Sequence, residues 1–257
     1  MITIKNLLFN YSNREKPVIN DLSFEIHPGK VYVLLGLNGC GKTTLIKLLA
    51  GLYKPTSGII EYNNQDLQSI KINERSKLFS YVSQKGINND DYNVKDYLTY
   101  GYANSLKFYE SPKQEQVSQV NEIAKKFHIE NLLNKKIGQL SGGEKQIVMI
   151  ASSIIQNTEI ILLDEPTSAL DLKNQNLVLS ALKDISSNGK TIIFSSHNPN
   201  HALFLDADVL LMNDGKITKS GSSNEIIDIE SLNEIYGKNL CYSKDLGYNE
   251  ISFIRSK

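Results

Sequence analysis

The sequence predicts an α/β fold with a mainly parallel sheet, an antiparallel β subdomain and an inserted helical subdomain. Short aliphatic runs that suit strands buried on both faces occur at 31–35, 160–163, 191–194 and 209–212. Alternating segments near 2–9 and 22–26 suit antiparallel strands with one solvated face. Strand signals give way to helical periodicity in the middle of the chain. We therefore expect one domain, with residues 1–86 and 158–257 forming the core and β subdomain and residues 87–157 forming the helical insertion.

Composition restricts the class of protein. The 257 residues carry a formal net charge of zero, which argues against a protein that binds nucleic acid by neutralising its phosphates. The cysteines, Cys40 and Cys241, are too few for a disulfide framework and indicate a reducing compartment. The first residues lack the apolar core of a signal peptide, and no run approaches about eighteen apolar residues. We expect a cytoplasmic protein that serves a membrane, if at all, through a partner.

Strands alternate with turns along the first part of the chain. A polar turn at 13–17 joins the first two strands, and a turn at 54–58 precedes the next one. A further apolar strand over 78–82 is followed by Gln84. Tyr11 stands at the end of the first strand, where it is either a ring that stacks on a base or an ordinary strand-end aromatic. The spacing of Tyr11 alone favours the interpretation as an ordinary aromatic residue at a strand end.

Residues 36–44 form the motif around which the chain is organised. They read Gly-Leu-Asn-Gly-Cys-Gly-Lys-Thr-Thr, which matches the phosphate-binding pattern G-x-x-x-x-G-K-[ST] between a strand and a predicted helix at 44–50. Glycines let successive N–H groups point at an anion, Lys42 adds a charge for the β- and γ-phosphates, and the Thr43 hydroxyl is a ligand for Mg²⁺. The residues expected to contact a nucleotide here are Gly36, Asn38, Gly39, Cys40, Gly41, Lys42, Thr43 and Thr44.

The predicted helical insertion contains two helices before its last segment. Asn93 suggests a capped helix start, and the apolar residues from Val117 to Phe127 have helical spacing. Between them, the aromatic-rich stretch 101–109 is either a loop that packs on its own helices or a docking surface. The aromatic residues available for such a surface are Tyr97, Tyr100, Tyr102, Phe108 and Tyr109, although some of them must belong to the core.

The sequence Leu-Ser-Gly-Gly-Glu at 140–144 opens the last helix of the insertion. Ser141 is the expected N-cap, and Glu144 stands at capping-box spacing from it. A helix start with two glycines also suits an anion, because its N–H groups are free to point at the ligand. Ser141, Gly142 and Gly143 are therefore a second candidate phosphate site.

Polar side chains follow two of the buried strands. Asp164 and Glu165 come after the run at 160–163, and His197 comes shortly after the run at 191–194. Ligands bind beyond the carboxyl ends of strands in open α/β sheets, so these side chains should meet near the phosphate loop. Phosphoryl transfer to water needs a metal ligand, a base and groups that position the water. Asp164 suits the metal shell and Glu165 the general base. Gln84 would bridge metal and water, and His197 would contact the γ-phosphate.

The end of the chain is less informative. We expect a hairpin exit at 216–221, a short helix from Asn224 and another helix over 231–240. No clear pattern follows Cys241. The sequence contains neither an internal repeat nor a low-complexity linker.

Together these motifs resemble the ATP-binding-cassette ATPases over nearly the whole chain. The resemblance rests on the phosphate loop, Gln84, the segment 140–144, the pair Asp164–Glu165 and His197, together with a D-loop-like Ser168-Ala-Leu-Asp171. It implies that Tyr11 stacks on adenine. It also implies that ATP and Mg²⁺ are bound, and that two copies form a head-to-tail dimer in which the signature of one closes over ATP held by the other.

A narrower resemblance concerns the importers of iron–siderophore, haem and cobalamin. It is carried by residues 93–101 and by Ser231–Gly237. It implies membrane permease subunits as partners, an extracytoplasmic substrate-binding protein acting indirectly, and a place on the cytoplasmic face of the cell membrane. An exporter ATPase and a soluble, non-transport cassette ATPase remain the alternatives. No role in nucleic-acid binding is expected.

The chain departs from the family pattern at two positions near the site. Cys40 stands where Ser is commoner, and Asn198 follows His197 where Asp is usual. Because Cys40 lies at a helix N-terminus beside Lys42, we expect its thiol pKa to be lowered and Cys40 to be the more reactive cysteine. The asparagine leaves open what supports His197.

Overall fold

The computed structural model describes residues 1–12, 15–87, 90–104, 113–237, 240–245 and 248–253. The strands are β1 (Ile2–Phe9), β2 (Ile19–Ile26), β3 (Val31–Leu35), β4 (Ser57–Tyr62), β5 (Gln65–Asp66), β6 (Phe79–Val82), β7 (Ile160–Leu163), β8 (Thr191–Ser196), β9 (Asp208–Asn213), β10 (Lys216–Ser222), β11 (Leu240–Asp245) and β12 (Tyr248–Phe253). The α-helices are α1 (Lys42–Leu49), α2 (Ile72–Leu78), α3 (Val94–Tyr100), α4 (Gln114–Lys126), α5 (Gly142–Ile155), α6 (Leu172–Ser187), α7 (Pro199–Leu205), α8 (Ser223–Ile226) and α9 (Ile229–Tyr236).

A six-stranded sheet with the order β10-β9-β3-β8-β7-β6 carries the phosphate loop. All neighbours from β9 to β6 pair in parallel, and only β10 is antiparallel, in a hairpin with β9. The aliphatic runs predicted to be strands buried on both faces are therefore the strands of this sheet. The predicted mainly parallel α/β core is confirmed. Its carboxyl ends bring the segments after β3, β6, β7 and β8 to one edge.

A second, antiparallel sheet has the order β2-β1-β4-β5. β1 pairs with β2 on one side and with β4 on the other, as the alternating patterns of the first segments predicted. The buried positions of β1 are Ile2, Ile4, Leu7 and Phe9. Its register shifts after Ile4 on the β2 side, which accounts for the imperfect alternation in the sequence.

The central strand β3 packs against different layers on its two faces. Val33 and Leu35 belong to a cluster that includes the helical insertion, α6 and α7. Tyr32 and Leu34 belong to a cluster that includes the antiparallel sheet and α1. Successive side chains of a strand point to opposite faces, so one short strand anchors both layers. The loop that follows β3 therefore starts from a rigidly held strand.

The helical insertion follows its predicted pattern. Helix α3 begins directly after Asn93, although the Asn93 side chain makes no capping bond. Helix α4 buries Val120 and Ala124, and its C-cap Phe127 is almost fully buried, which is the face that the sequence spacing predicted. Helix α5 buries most of its length against α3 and α4.

The predicted aromatic docking surface needs correction. Tyr102 is only 9% exposed, and its hydroxyl donates a hydrogen bond of 2.6 Å to Gln119 Oε1. It is therefore a core residue and cannot be a contact for a partner, so that part of the prediction is wrong. Tyr97 packs partly buried on the same core. Tyr100 is 57% exposed and lies edge-on to the exposed Tyr92, with ring centroids 5.4 Å apart. Phe108 and Tyr109 lie outside the described residues.

The last segments that the structure describes form a hairpin that the sequence did not predict. β11 and β12 pair antiparallel, and their backbones contact α9 and α7 respectively. The predicted helix over 231–240 is α9, which begins at Ile229 and ends at Tyr236 because Gly237 adopts a φ of +92°. Across the described ranges, we find no helix that is long and apolar enough to span a bilayer.

Candidate functional site

The phosphate loop turns back on the strand that carries it. Gly39 and Gly41 have φ values of +85° and +111°, which side chains rarely adopt and which the tight turn requires. Helix α1 begins at Lys42, two residues earlier than predicted. The buried Lys42 Nζ donates hydrogen bonds of 2.8 and 2.9 Å to the carbonyl oxygens of Gly36 and Leu37. The loop therefore holds its positive charge on its inner side, where an anion site needs it.

The side chain of Cys40, which belongs to this loop, is buried beneath it. It is only 7% exposed, and a Cβ atom added at Gly36 would come within 2.9 Å of its Sγ atom and 2.3 Å of the Met212 carbonyl oxygen. Burial raises the pKa of the Cys40 thiol, and the nearby Lys42 charge opposes this shift only in part. The predicted lowering of its pKa is therefore wrong. A buried, protonated thiol is a poor nucleophile.

Glu165 is the centre of the polar cluster at the sheet edge. Its Oε2 atom accepts a 3.2 Å hydrogen bond from Gln84 Nε2 and lies 3.9 Å from His197 Nδ1. Its Oε1 atom lies 3.9 Å from Lys42 Nζ. The backbone of Glu165 has a φ of +48°, an uncommon conformation for a residue with a side chain and one that occurs at functional sites. The sequence thus correctly placed these side chains near the phosphate loop.

Asp164 lies deeper, at the end of β7. It is 1% exposed, and its Oδ1 atom accepts hydrogen bonds from Thr43 Oγ1 at 2.9 Å and Ser195 Oγ at 2.8 Å. The same Ser195 Oγ accepts the backbone N–H of Glu165 at 2.9 Å. These hydrogen bonds, the Ser195 relay, connect α1, the end of β7 and the end of β8. They hold Glu165 in its left-handed backbone conformation. The sequence prediction missed Ser195, although two serines extend the aliphatic run of β8 and signal a polar strand end.

Tyr11 lies on the other side of the phosphate loop. Its hydroxyl is 3.0 Å from Thr44 Oγ1, and its ring packs edge-on against Phe9 and Tyr53. It borders a cleft of about 430 Å³, which is lined by Tyr11, Val18, Asn38, Gly39, Gly41, Lys42, Thr43, Thr44, Gln84 and Glu165. The structure therefore places the Tyr11 ring, the phosphate loop and the Glu165 carboxylate around one cavity. An aromatic ring beside a cleft of this kind suits a nucleobase that is attached to phosphates.

The segment 140–144 forms a capped helix start, as predicted. Ser141 Oγ accepts the Glu144 N–H at 3.3 Å, and Glu144 Oε2 accepts the Ser141 N–H at 2.8 Å. The second bond lowers the pKa of Glu144. Ser141 and Gly142 are exposed, and neither they nor Gly143 belong to the lining of the cleft around the phosphate loop. Within the described part of this chain, the two candidate phosphate sites are therefore separate.

His197 projects from the loop between β8 and α7. Its side chain is 56% exposed, and its Nδ1 atom lies 3.9 Å from Oε2 of Glu165. The next residue, Asn198, is the N-cap of α7, because its Oδ1 atom accepts the Asn200 N–H at 3.0 Å. His197 thus faces the candidate base from a short loop that is fixed on both sides by regular structure.

Comparison with known proteins shows which family the chain belongs to. A family model described as ABC transporter matches residues 19–168, which is more than half of the chain. The chain is 34% identical over 238 residues to a protein of Helicobacter pylori named probable iron chelatin transport ATP-binding protein, and this match covers 92% of each chain. It is 33% identical over 236 residues to the molybdate import ATP-binding protein MolC of Haemophilus influenzae, covering 91% of this chain and 87% of that one.

Solved structures agree with the observed fold. A metal-chelate type ABC transporter in an inward-facing conformation superimposes with a TM-score of 0.80 at 29% identity, covering 98% of this chain and 96% of that one. A dimeric cassette in a post-hydrolysis state, bound to ADP and Pi, gives a TM-score of 0.77 at 25% identity and covers 87% of this chain and 99% of that one. The predicted fold class and family resemblance are therefore confirmed.

Proposed function

Because this chain belongs to the ATP-binding-cassette family of transporter ATPases, we propose that it powers the import of a metal chelate through a separate membrane permease. The chain is an ATPase, which binds ATP and hydrolyses it to ADP and phosphate. The cargo class rests on the match with the iron chelatin transport protein of Helicobacter pylori across 92% of both chains. Ferric chelates, haem and cobalamin are the candidate cargoes, and molybdate joins them because of the related molybdate importer.

The polar cluster supports a role for each of its members in hydrolysis. Glu165 acts as the general base, because its carboxylate lies at the mouth of the phosphate loop between Gln84 and His197. Gln84 orients the attacking water, and His197 contacts the γ-phosphate. Lys42 neutralises the β- and γ-phosphates from the inner side of the loop. Tyr11 holds the adenine by stacking.

The donor set at the bottom of the cleft suits Mg²⁺. Asp164 supplies a buried carboxylate and Thr43 a hydroxyl, both hard oxygen ligands, and the two side chains are already in contact. Mg²⁺ needs few protein ligands when phosphates and waters complete its shell. Thr43, Gln84 and Asp164 would hold the ion, which would supply charge neutralisation at the phosphates.

The separation of the two phosphate sites supports a head-to-tail homodimer. Ser141, Gly142 and Gly143 lie outside the cleft of their own chain, and Ser141 and Gly142 are exposed at the start of α5. An exposed helix N-terminus suits the γ-phosphate of ATP bound to a second copy. The related cassette solved with ADP and Pi is itself dimeric. The dimer would sit on the cytoplasmic face of the membrane, held by the permease, and a substrate-binding protein would deliver cargo from the other side.

Reconstitution tests the transport proposal. A tagged chain purified from its native membranes should recover a permease, and the complex in proteoliposomes should take up one labelled cargo in an ATP-dependent manner. The panel contains a ferric siderophore, haem, cobalamin and molybdate. The Glu165→Gln complex should bind ATP and transport nothing, and the Glu159→Gln complex should match the wild type, because Glu159 lies at the opposite end of β7. ATP-dependent extrusion of a compound would favour an exporter, and recovery of no membrane protein would favour a soluble ATPase.

The exposed pair Tyr92–Tyr100 is the part of the insertion that suits permease contact. Both rings are exposed and adjacent, and aromatic residues are enriched in protein interfaces. Tyr100→Ser should lower uptake about tenfold while the isolated subunit keeps its basal hydrolysis, because a central aromatic contact is worth at least about 1.4 kcal/mol. Phe204→Ser removes a comparably exposed ring from α7 and serves as the control. Equal uptake by both variants would place the permease contact elsewhere.

A further inference from the structure

His201 is a buried polar residue directly behind the His197 loop, and the sequence pattern did not single it out. It lies in α7 and is only 6% exposed. Its ring packs at a tilt against Phe194 of β8, with centroids 6.4 Å apart. A histidine in such a place needs hydrogen-bond partners for both ring nitrogens, because an unpaired buried polar group is costly.

The first partner is Ser196, the residue before His197. Ser196 Oγ lies 2.9 Å from His201 Nδ1. The same hydroxyl accepts the Asn198 N–H at 3.0 Å and donates to the Asn198 carbonyl oxygen at 3.3 Å. With its proton directed to Asn198, this hydroxyl is an acceptor toward His201. The contact of His201 Nε2 with Asn198, described next, selects the same arrangement, in which Nδ1 carries the ring proton and donates it to Ser196.

The second partner is Asn198, the residue after His197. Its Oδ1 atom is used by the Asn200 N–H, so its amide nitrogen faces His201 Nε2 at 3.4 Å. An amide nitrogen is a donor, and Nε2 must therefore be an unprotonated acceptor. Burial, with a smaller effect from the charge of His197, lowers the pKa of His201 to about 4. The neutral ring that both hydrogen bonds require is thus the form present at neutral pH.

A third contact reaches the segment that carries the base. Thr167 Oγ1 lies 3.5 Å from His201 Nδ1, and Thr167 follows Glu165 by two residues. Both Thr167 and Ser196 are buried. His201 therefore touches residues on either side of His197 and a residue close to Glu165, while the side chain of His197 itself is 56% exposed.

We propose that His201 is a positioning residue for hydrolysis, which fixes the backbone on both sides of His197 through Ser196 and Asn198. This inference rests on the proposed role of His197. The arrangement also explains how the loop is supported with Asn in place of the usual Asp. The amide of Asn198 donates to Nε2 of His201, so the asparagine itself links the loop to the buried ring.

Two substitutions at His201 distinguish the effect of losing its hydrogen bonds from the effect of changing the volume of its ring. His201→Leu fills the space and removes both bonds, whereas His201→Asn keeps a donor close to the position of Nδ1. Leu205→Ala creates a packing defect on the same helix away from the loop and is the control. His201→Leu should lower kcat between about tenfold and hundredfold with KM for ATP unchanged, because displacing a catalytic group by about 1 Å costs rate rather than binding. His201→Asn should recover most of this loss, and Leu205→Ala should affect thermal stability only.

The decisive measurement is a double-mutant cycle with His197→Ala, read by single-turnover hydrolysis. If His201 acts through His197, His201→Leu should lower the rate by less than about twofold in the His197→Ala background. An equal loss in both backgrounds, or a rise in KM without a fall in kcat, overturns the inference. If His201→Leu does not fold, Ser196→Ala takes its place in the cycle, because it removes the hydrogen bond between Ser196 and His201 from the Ser196 side. Wild-type hydrolysis by His197→Ala would instead contradict the proposed role of His197.

Discussion

Replacing Glu165 with glutamine should lower steady-state ATP hydrolysis by about 10²- to 10⁴-fold and leave ATP binding intact. The substitution keeps the shape of the side chain and its contact with Gln84, but removes the carboxylate that would take a proton from the attacking water. It also removes a negative charge 3.9 Å from Lys42 Nζ, so affinity for the anionic nucleotide should hold or rise. Single-turnover hydrolysis and equilibrium binding of labelled ATP measure the two effects separately.

The matched control is Glu159→Gln, which makes the same chemical change at the opposite, amino end of β7. Glu159 is exposed and accepts a hydrogen bond from the Tyr62 hydroxyl, far from the phosphate loop. Hydrolysis by this control should equal that of the wild type. If Glu165→Gln retained a rate within a few-fold of the wild type, Glu165 could not be the base, and His197 would have to accept the proton of the attacking water. A trapped Glu165→Gln protein should also dimerise when ATP is added.

Strands β3, β7, β8 and β9 of the central sheet could be predicted because each contains a short, continuous aliphatic run, the pattern expected of a strand that is buried on both faces. Val31–Leu35 is the clearest case, since its side chains belong alternately to the two hydrophobic clusters. The terminal hairpin of β11 and β12 could not be predicted in this way. Its backbone contacts are with α7 and α9, and so its formation depends on tertiary packing more than on a local pattern.

In the site, too, the features set by the local sequence could be predicted, whereas those set by contacts formed on folding could not. Asp164, Glu165 and His197 could be placed because carboxyl ends of parallel strands meet at one edge. The Ser195 relay could not, since it depends on which hydroxyl faces which carboxylate after folding. Local sequence also failed to predict the pKa of Cys40, because burial of the thiol outweighs the effect of the adjacent Lys42 charge.

Tyr102 illustrates how composition misleads about surfaces. A stretch rich in aromatic residues was interpreted as a possible contact site, but only Tyr92 and Tyr100 of the described aromatics in this region are well exposed. Tyr102 buries its ring and satisfies its hydroxyl with Gln119. Aromatic rings contribute as much to cores as to interfaces, so exposure has to be read from the structure.

The other large effect is expected for Asp164→Asn, which should lower hydrolysis by about hundredfold or more. Metal-assisted charge neutralisation is worth several kcal/mol in phosphoryl transfer, and each 1.36 kcal/mol is about tenfold in rate. An asparagine can still accept the hydroxyls of Thr43 and Ser195 through its Oδ1 atom, but it lacks the charge that would hold Mg²⁺. Removing a buried charge should not weaken the fold, so the thermal unfolding midpoint should be equal or higher.

Ser195→Ala is the comparison variant that tests whether the loss of hydrolysis in Asp164→Asn comes from the metal site. That variant keeps the Asp164 carboxylate but breaks the relay to the Glu165 N–H, so it disturbs the position of the base without changing charge. The variant loses two hydrogen bonds, one from the Glu165 N–H and one to the Asp164 carboxylate. Its hydrolysis should still fall only a few-fold, because the bond that positions the base contributes about 0.5–1.5 kcal/mol and the charge that would hold Mg²⁺ is kept. Titration with Mg²⁺ should partly restore Asp164→Asn and leave Ser195→Ala unchanged, because only the first variant has lost a metal ligand. Equal losses in the two variants, both insensitive to Mg²⁺, would make Asp164 a hydrogen-bond acceptor that holds Glu165 in place rather than a metal ligand.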